Sequence, residues 1–346
     1  MDREALVKLL EELIQCHSPP GEEKEIEAVI RREMEASGAK VWQDEATNLY
    51  AHIPGDGHKV MVCAHKDEIG MVVSRIQEDG RLQVENCGGS FPWKYGEGPV
   101  EFIADDGSLV HGILSAGSIH TRKGPLHELK QDRAWTWDLA SVFTGLSKEE
   151  LDDNGIHVGS RGVIARERKQ VQRLGDYIAS YAMDDRMGVA VVLAALKAFG
   201  GGEASSNCDL YFVITHGEEI GLVGAMYVAH QLQPDICIAI DTSPVTHETP
   251  LELSDAPVIW YREATYNNKS ECDRLYQLGR KLGVGAQPVV YSGAASDAGG
   301  VKRNGLAART VCFGPARDNS HGYEIAHANA MTNVTMLLVE YLKSLP

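Results

Sequence analysis

The sequence has no run of apolar residues long enough to cross a membrane, and its start lacks the uninterrupted apolar segment of a signal peptide. The first eighteen residues, MDREALVKLLEELIQCHS, instead mix charged and apolar residues at helical spacing. We therefore expect a cytoplasmic protein with no membrane partner.

Basic residues are scarce relative to acidic ones. The chain has 33 lysines and arginines against 49 aspartates and glutamates, a net charge of −16. A negative charge of this size opposes binding to phosphate backbones and anionic lipid surfaces. Nucleic acid is therefore not an expected partner.

Cysteine pairs of the C-x-x-C type are also absent. The seven cysteines form an odd number, and most lie in or beside apolar runs such as VMVCAH and DICIAID. We interpret them as small buried side chains in a reducing compartment, with thiolate metal ligation as the weaker alternative.

What the sequence does contain is an alternation of apolar strands and helices. The runs KVMVCAH, LYFVITH and ICIAID end in polar clusters, and helical patterns such as RMGVAVVLAALKAFGG lie between them. This pattern predicts an α/β fold whose sheet is flanked by helices. The polar clusters would lie at the carboxyl ends of the strands, where open α/β sheets place ligands.

The chain of 346 residues exceeds the ~250–300 at which a single core usually stops growing. Residues 71–165 show short alternating runs between glycine and aspartate turns, which predicts a small β-rich domain inserted into the α/β domain. We assign 1–70 and 166–346 to the α/β domain. Within the insertion, 119–137 is a candidate contact or access loop, although a solvated loop explains it equally well.

Five polar clusters carry the candidate functional residues. Each has a simpler interpretation, since a histidine is commonly a surface or core residue and an aspartate is commonly a helix cap or turn residue. The clusters recur at one predicted edge of the sheet, which favours a shared function. They contain His65 and Asp67, Asp184 and Asp185, Glu218 and Glu219, Asp241, and His321.

Imidazole and carboxylate ligands in these numbers fit two divalent metal ions. Zn²⁺ suits such mixed ligands best, with Co²⁺ or Mn²⁺ as alternatives. A pair of ions needs a bridging carboxylate, further ligands for each ion, and a carboxylate that moves the proton.

With its motifs in this order, the sequence resembles the tetrahedral (glutamyl and deblocking) aminopeptidases of the clan of co-catalytic dinuclear zinc aminopeptidases. The motifs are AHKDEIG, MDDRMG, THGEEIGLVGA, ICIAIDTSP and SDAGG. The resemblance implies a mixed sheet with an inserted domain and removal of N-terminal residues from short peptides. It also implies dimers through the inserted domain and assembly up to dodecamers.

The resemblance also implies a role for each matching residue. Asp184 would bridge the two metal ions, His65 and Asp241 would complete one ion, and Glu219 and His321 the other. Asp67 would orient His65, and Glu218 would be the general base.

The last ligand departs from the family pattern. The family has serine or threonine after this histidine and a glutamate four residues on, whereas SHGYEIAH has Gly322 next and Glu324 three residues on. His327 is therefore a rival. We favour His321 because it lies nearer the apolar run RTVCFG, whereas His327 is expected to open the last helix.

Three other functions remain as alternatives. A dinuclear carboxypeptidase or deacylase of the same clan is the nearest, but its extra domain generally falls later in the chain. A non-catalytic relative acting as an interaction protein is the second. A glycosidase would also use paired carboxylates, but it needs neither the histidines nor a bridge.

Overall fold

The computed structural model of the protein describes residues 2–129 and 134–346. Residues 130–133 of the candidate loop 119–137 therefore lie outside the described residues. The helices are α1 (Arg3–Gln15), α2 (Lys24–Glu35), α3 (Pro92–Tyr95), α4 (Pro125–Leu129), α5 (Lys148–Asp153), α6 (Arg186–Gly200), α7 (Val223–Leu232), α8 (Lys269–Leu282), α9 (Asp297–Arg303) and α10 (Ala330–Ser344), with 3₁₀ turns at Trp137–Leu139 and Arg166–Arg168.

The strands, in chain order, are β1 (Lys40–Gln43), β2 (Leu49–Ile53), β3 (Lys59–His65), β4 (Gly70–Ile76), β5 (Leu82–Cys87), β6 (Gly98–Ile103), β7 (Leu109–Ser115), β8 (Ser141–Phe143), β9 (Arg161–Ile164), β10 (Gln172–Leu174), β11 (Tyr177–Ser180), β12 (Asp209–Thr215), β13 (Ile236–Ile240), β14 (Ser243–Pro244), β15 (Val258–Arg262), β16 (Gln287–Val290), β17 (Arg309–Gly314), β18 (Ala316–Asp318) and β19 (Glu324–His327).

The central sheet has the order β1-β2-β12-β3-β13-β17-β15-β16. Strands β12, β3, β13 and β17 are parallel, whereas β2 and β15 pair antiparallel to the outer members of that group. The predicted α/β fold with a mixed sheet flanked by helices is therefore confirmed.

The near-continuous apolar strands are explained by cores on both faces of this sheet. Along β3, Val60 and Val62 face a core that contains α1, α6 and α10, while Met61 and Cys63 face a second core with α7 and α9. Successive side chains of a strand point to opposite faces, so both sets must be apolar. All seven cysteines are buried and free, as their apolar surroundings predicted.

The segment between β3 and α6 forms a closed barrel of β4-β5-β8-β7-β6-β9 with a core of its own. This barrel confirms a β-rich insertion. The boundaries of the two domains and the role of the insertion in assembly stay predictions.

A further sheet, β10-β11-β19-β18-β14, was not predicted from the sequence. It carries the chain from the barrel to α6 and from β17 to α10. His327 ends β19 and α10 begins only at Ala330, so the expectation that His327 opens the last helix was wrong.

No helix in the described part of the chain is both long enough and apolar enough to cross a membrane.

Candidate metal centre

The candidate residues converge at the carboxyl edge of the parallel strands. His65 is the last residue of β3, Asp241 follows β13, and Glu218 and Glu219 lie in the turn after β12. Parallel strands end at the same edge of a sheet, so these side chains meet although they are far apart in sequence. They line a cavity of about 420 Å³ together with Asp184 and His321.

His65 is oriented by the residue two positions along. Its Nδ1 donates to the backbone carbonyl of Asp67 at 3.1 Å and lies 3.5 Å from the carboxylate oxygen Oδ1 of Asp67. Its Nε2 therefore faces the cavity, 3.4 Å from Oδ1 of Asp184 and 3.9 Å from Oε2 of Glu218.

Asp67 also holds the Glu218–Glu219 pair. The buried carboxylate of Asp67 accepts hydrogen bonds from the backbone nitrogens of Glu218 at 3.0 Å and of Glu219 at 3.1 Å. Asp67 therefore positions Glu218 and Glu219 as well as His65. The sequence analysis had expected it to orient His65 alone.

Asp184 lies between the histidines. Its Oδ1 accepts from the hydroxyl of Thr242 at 3.0 Å, and its Oδ2 is 3.5 Å from Nε2 of His321. Nε2 of His321 is also 3.7 Å from Oε1 of Glu219. Asp184 therefore contacts ligands proposed for both ions.

Two sets of donor atoms are close enough to share an ion. Oxygen and nitrogen atoms lie within 4.8 Å of one another in the set His65, Asp184 and Glu219 and in the set His65, Asp185 and Asp241. Asp185 precedes α6, where its Oδ1 accepts from the nitrogen of Gly188 at 3.0 Å. Its Oδ2 is buried without a hydrogen-bond partner.

The carboxylates around the cavity destabilise one another's charge. Burial raises the pKa of Glu218 well above its usual value, and Asp241 and Glu219 raise it further against the opposing effect of His65. Burial and the neighbouring Asp184 likewise raise the pKa of Asp241 and raise that of Glu219 to about 7. Such a set of crowded, buried oxygens fits a site for cations, which would offset the repulsion.

Arg317, which the sequence analysis gave no role, organises the site. Arg317 is buried, and its Nη1 lies 2.8 Å from Oδ2 of Asp184. Burial raises the pKa of Asp184, but Arg317, His321 and His65 together hold it well below the usual range. Arg317 also forms an ion pair with Glu324. No spacing in the sequence indicated Arg317.

The structure brings His321 and not His327 to the cavity. Tyr177 stacks edge-on against His327 with ring centroids 5.4 Å apart, and Nδ1 of His327 accepts from the nitrogen of Asn329. His321 has a positive φ of 59°, and its ring Nδ1 donates to the carbonyl of Gly89 at 2.9 Å.

An α/β sheet with imidazole and carboxylate side chains around one cavity at its carboxyl edge has the donor atoms of a metal-binding site. The chain belongs to the M42 glutamyl aminopeptidase family, whose family model matches residues 47–337. The resemblance on which the sequence analysis relied is therefore confirmed.

Individual proteins are similar to this chain over nearly its whole length. A putative aminopeptidase of Acetivibrio thermocellus is 26% identical over 98% of this chain and 99% of its own. An aminopeptidase structure from Desulfurococcus kamchatkensis has a TM-score of 0.87 and 26% identity, covering 99% of this chain and 95% of that one. The TET1 peptidase of Pyrococcus horikoshii, at 23% identity, shares the fold with a TM-score of 0.85 over 98% of this chain and all 100% of its own.

Proposed function

We propose that the protein is a metal-dependent aminopeptidase that removes N-terminal residues from short peptides at a dinuclear site. In the proposed site Asp184 would hold both ions, His65 and Asp241 would complete one, and Glu219 and His321 would complete the other. The observation that carries this proposal is the convergence of these side chains on one cavity in a chain of the M42 family. Zn²⁺ fits the mixed donors best, with Co²⁺ or Mn²⁺ as alternatives.

Two divalent ions bound there would lower the pKa of a water and polarise the scissile carbonyl. Glu218 lines the same cavity: its backbone nitrogen donates to Asp67, and its Oε2 lies 3.9 Å from Nε2 of His65. Its carboxylate would accept the proton of the attacking water and deliver it to the leaving amine. Arg317 and Thr242 would keep the carboxylate of Asp184 in place during this step.

The substitution Glu218→Gln tests this assignment. The amide keeps the size of the side chain but cannot take the proton, so turnover of aminoacyl-p-nitroanilides should nearly disappear while two ions per chain remain bound. Turnover and metal content by mass spectrometry are the two readouts. Retained activity, or loss of metal from a folded variant, would contradict the role of Glu218.

A carboxypeptidase or deacylase remains the alternative. The long insertion between His65 and Asp184 favours the aminopeptidase, because in such relatives the extra domain generally lies later in the chain. An N-acetylated peptide decides between them. We expect hydrolysis to require the free N-terminus, whereas a deacylase would release the acetyl group and a carboxypeptidase would release the C-terminal residue.

We further propose that the protein is a homo-oligomer that assembles through the inserted residues 71–165. The TET1 peptidase of Pyrococcus horikoshii can assemble into a tetrahedron or a large octahedral shell. For this chain we expect an assembly between a dimer and a dodecamer. Light scattering gives the mass directly, and a monomer at working concentration would contradict the proposal.

A further inference from the structure

The inserted barrel reaches the candidate metal centre through one loop. After β5, the chain passes Gly88 and Gly89 beside the cavity before it enters α3. We propose that Gly89 positions the ring of His321, so that the barrel completes the metal centre in addition to any role in assembly. This inference rests on the proposed metal-binding function.

The contact between Gly89 and His321 is a hydrogen bond with a defined direction. The carbonyl oxygen of Gly89 accepts from Nδ1 of His321 at 2.9 Å. The other ring nitrogen, Nε2, is thereby turned toward Asp184 and Glu219, at 3.5 Å and 3.7 Å. A carbonyl that holds the distal nitrogen of a metal-binding histidine fixes both its tautomer and its orientation.

The close approach requires glycine at position 89. A Cβ atom there would lie 2.9 Å from both Cε1 and Nδ1 of His321, closer than real Cβ contacts. The backbone of Gly89 does not have a positive φ. Alanine is therefore compatible with the backbone at this position, and the ring of His321 is what excludes it.

The loop that contains Gly89 is hydrogen-bonded to the barrel. The hydroxyl of Ser90 donates to the carbonyl of Gly70 at 2.7 Å, and the indole nitrogen of Trp137 donates to the carbonyl of Ser90 at 3.0 Å. A second tie crosses to the loop of His321, because Nζ of Lys94 donates to Oδ1 of Asn319 at 2.6 Å. These hydrogen bonds connect the barrel to the ring of His321.

The loop lies against His321 and Glu219, the two ligands that we assign to one ion. Besides the contact with His321, a Cβ atom on Gly88 would lie 3.1 Å from Cβ of Glu219. His65 and Asp241, assigned to the other ion, lie at the ends of β3 and β13. Disturbing the loop should therefore weaken one metal site selectively.

The test is the substitution Gly89→Ala, with Zn²⁺ affinities measured by chelator competition on the full chain. We expect one of the two sites to weaken about 10- to 100-fold, the range for loss of an outer partner of a metal ligand, while the other site is unchanged. With Co²⁺ as the probe, the visible absorption band of the weakened site should shift. Gly293→Ala is the matched control, because an added methyl at this residue of the same cavity meets nothing within 4 Å.

A second substitution guards against a folding defect. Lys94→Met removes the exposed hydrogen bond to Asn319. It should lower the zinc affinity of the same site by a smaller factor. The inference is overturned if both sites of a folded Gly89→Ala protein keep their affinity, or if both weaken equally. If Gly89→Ala does not fold, an unchanged Lys94→Met protein overturns it. A parent protein that binds none of Zn²⁺, Co²⁺ and Mn²⁺ would instead overturn the proposed function.

Discussion

Oε1 of Glu324 accepts a hydrogen bond from the backbone nitrogen of His321 at 3.0 Å. The other oxygen, Oε2, accepts from the backbone nitrogens of Met183 at 2.7 Å and Asp184 at 3.0 Å. One buried carboxylate therefore joins the segments that carry two candidate ligands. The three-residue spacing from His321 to Glu324, which departs from the family pattern, still permits this connection.

The substitution Glu324→Gln should disturb both segments. It removes one of the two carboxylates paired with Arg317, the other being Asp184, so the free energy of unfolding should fall by about 1.5–3 kcal/mol, the cost of a lost charged hydrogen bond. Metal affinity should fall about 10- to 100-fold because the ligands lose a shared support. Denaturant unfolding and chelator competition measure the two effects.

The control for this change is Glu340→Gln. Glu340 pairs with Lys343 at the surface of α10, where both side chains are more than one third exposed. Its loss should change the free energy of unfolding by less than about 0.5 kcal/mol. Equal effects of the two substitutions would contradict the role of Glu324.

Glu219 and Glu218 are predicted to respond differently although they are adjacent. Glu219→Gln replaces an anionic ligand by a neutral amide, so metal content after dialysis should fall from two ions toward one. Glu218→Gln should keep both. Mass spectrometry of the two dialysed proteins decides, and a Glu219→Gln protein that retains two ions and full activity would exclude Glu219 as a ligand.

Low pH should weaken the buried ion pairs that Glu68 forms with Lys169 and Arg186. Glu68 lies 2.9 Å from Nζ of Lys169 and 3.1 Å from Nη2 of Arg186, all three buried. Burial raises the pKa of Glu68, but Arg186 and Lys169 lower it more, to about 2 from an ordinary value of 4.5. Its contribution to stability is therefore complete above pH 4.5 and is lost as the pH falls through about 2.

The substitution Glu68→Gln tests this contribution. It should cost about 3–5 kcal/mol at neutral pH, because two buried cations lose their partner. The difference from the parent should shrink as the pH falls from 4.5 toward 2. Urea unfolding across that range measures it, with the exposed Glu149→Gln as control. A constant difference at every pH would contradict the assigned pKa.

Arg303 is expected to influence which N-terminal residue is accepted. It lines the cavity beside Leu222, and no carboxylate pairs with it among the residues that the structure describes. An acidic side chain of the substrate could supply that partner. Removing a charged hydrogen bond of this kind costs about 1.5–3 kcal/mol, so Arg303→Met should lower kcat/KM for glutamyl-p-nitroanilide at least ~10-fold.

The same substitution should leave leucyl-p-nitroanilide almost unaffected. Lys302→Met is the matched control, since Lys302 lies on the same helix but donates to Asn268 and Ala308. An equal loss for both substrates would show that Arg303 does not select acidic residues.

The α/β fold and most of the site could be predicted from the sequence. Continuous apolar runs identified β3, β12 and β13, because strands covered on both faces must be apolar throughout. Once these strands are parallel, His65, Glu218 and Asp241 must meet at one edge. The distinction between Glu218 and Glu219 came from the family resemblance, because their spacing is the same for either order of roles.

Only the tertiary structure placed the remaining parts. His321 and its neighbour Gly89 are 232 positions apart, and Arg317 on β18 reaches Asp184, which follows β11 and lies 133 positions earlier in the chain. The hydrophobic periodicity of a sequence does not predict contacts between loops, because loops have no repeating geometry that determines which side chains meet. The amino-acid sequence by itself therefore determined the sheet, the edge that carries the candidate ligands and the chemistry available there. The choice of His321 over His327, and the carboxylate and barrel loop that hold it, depended on how distant segments pack.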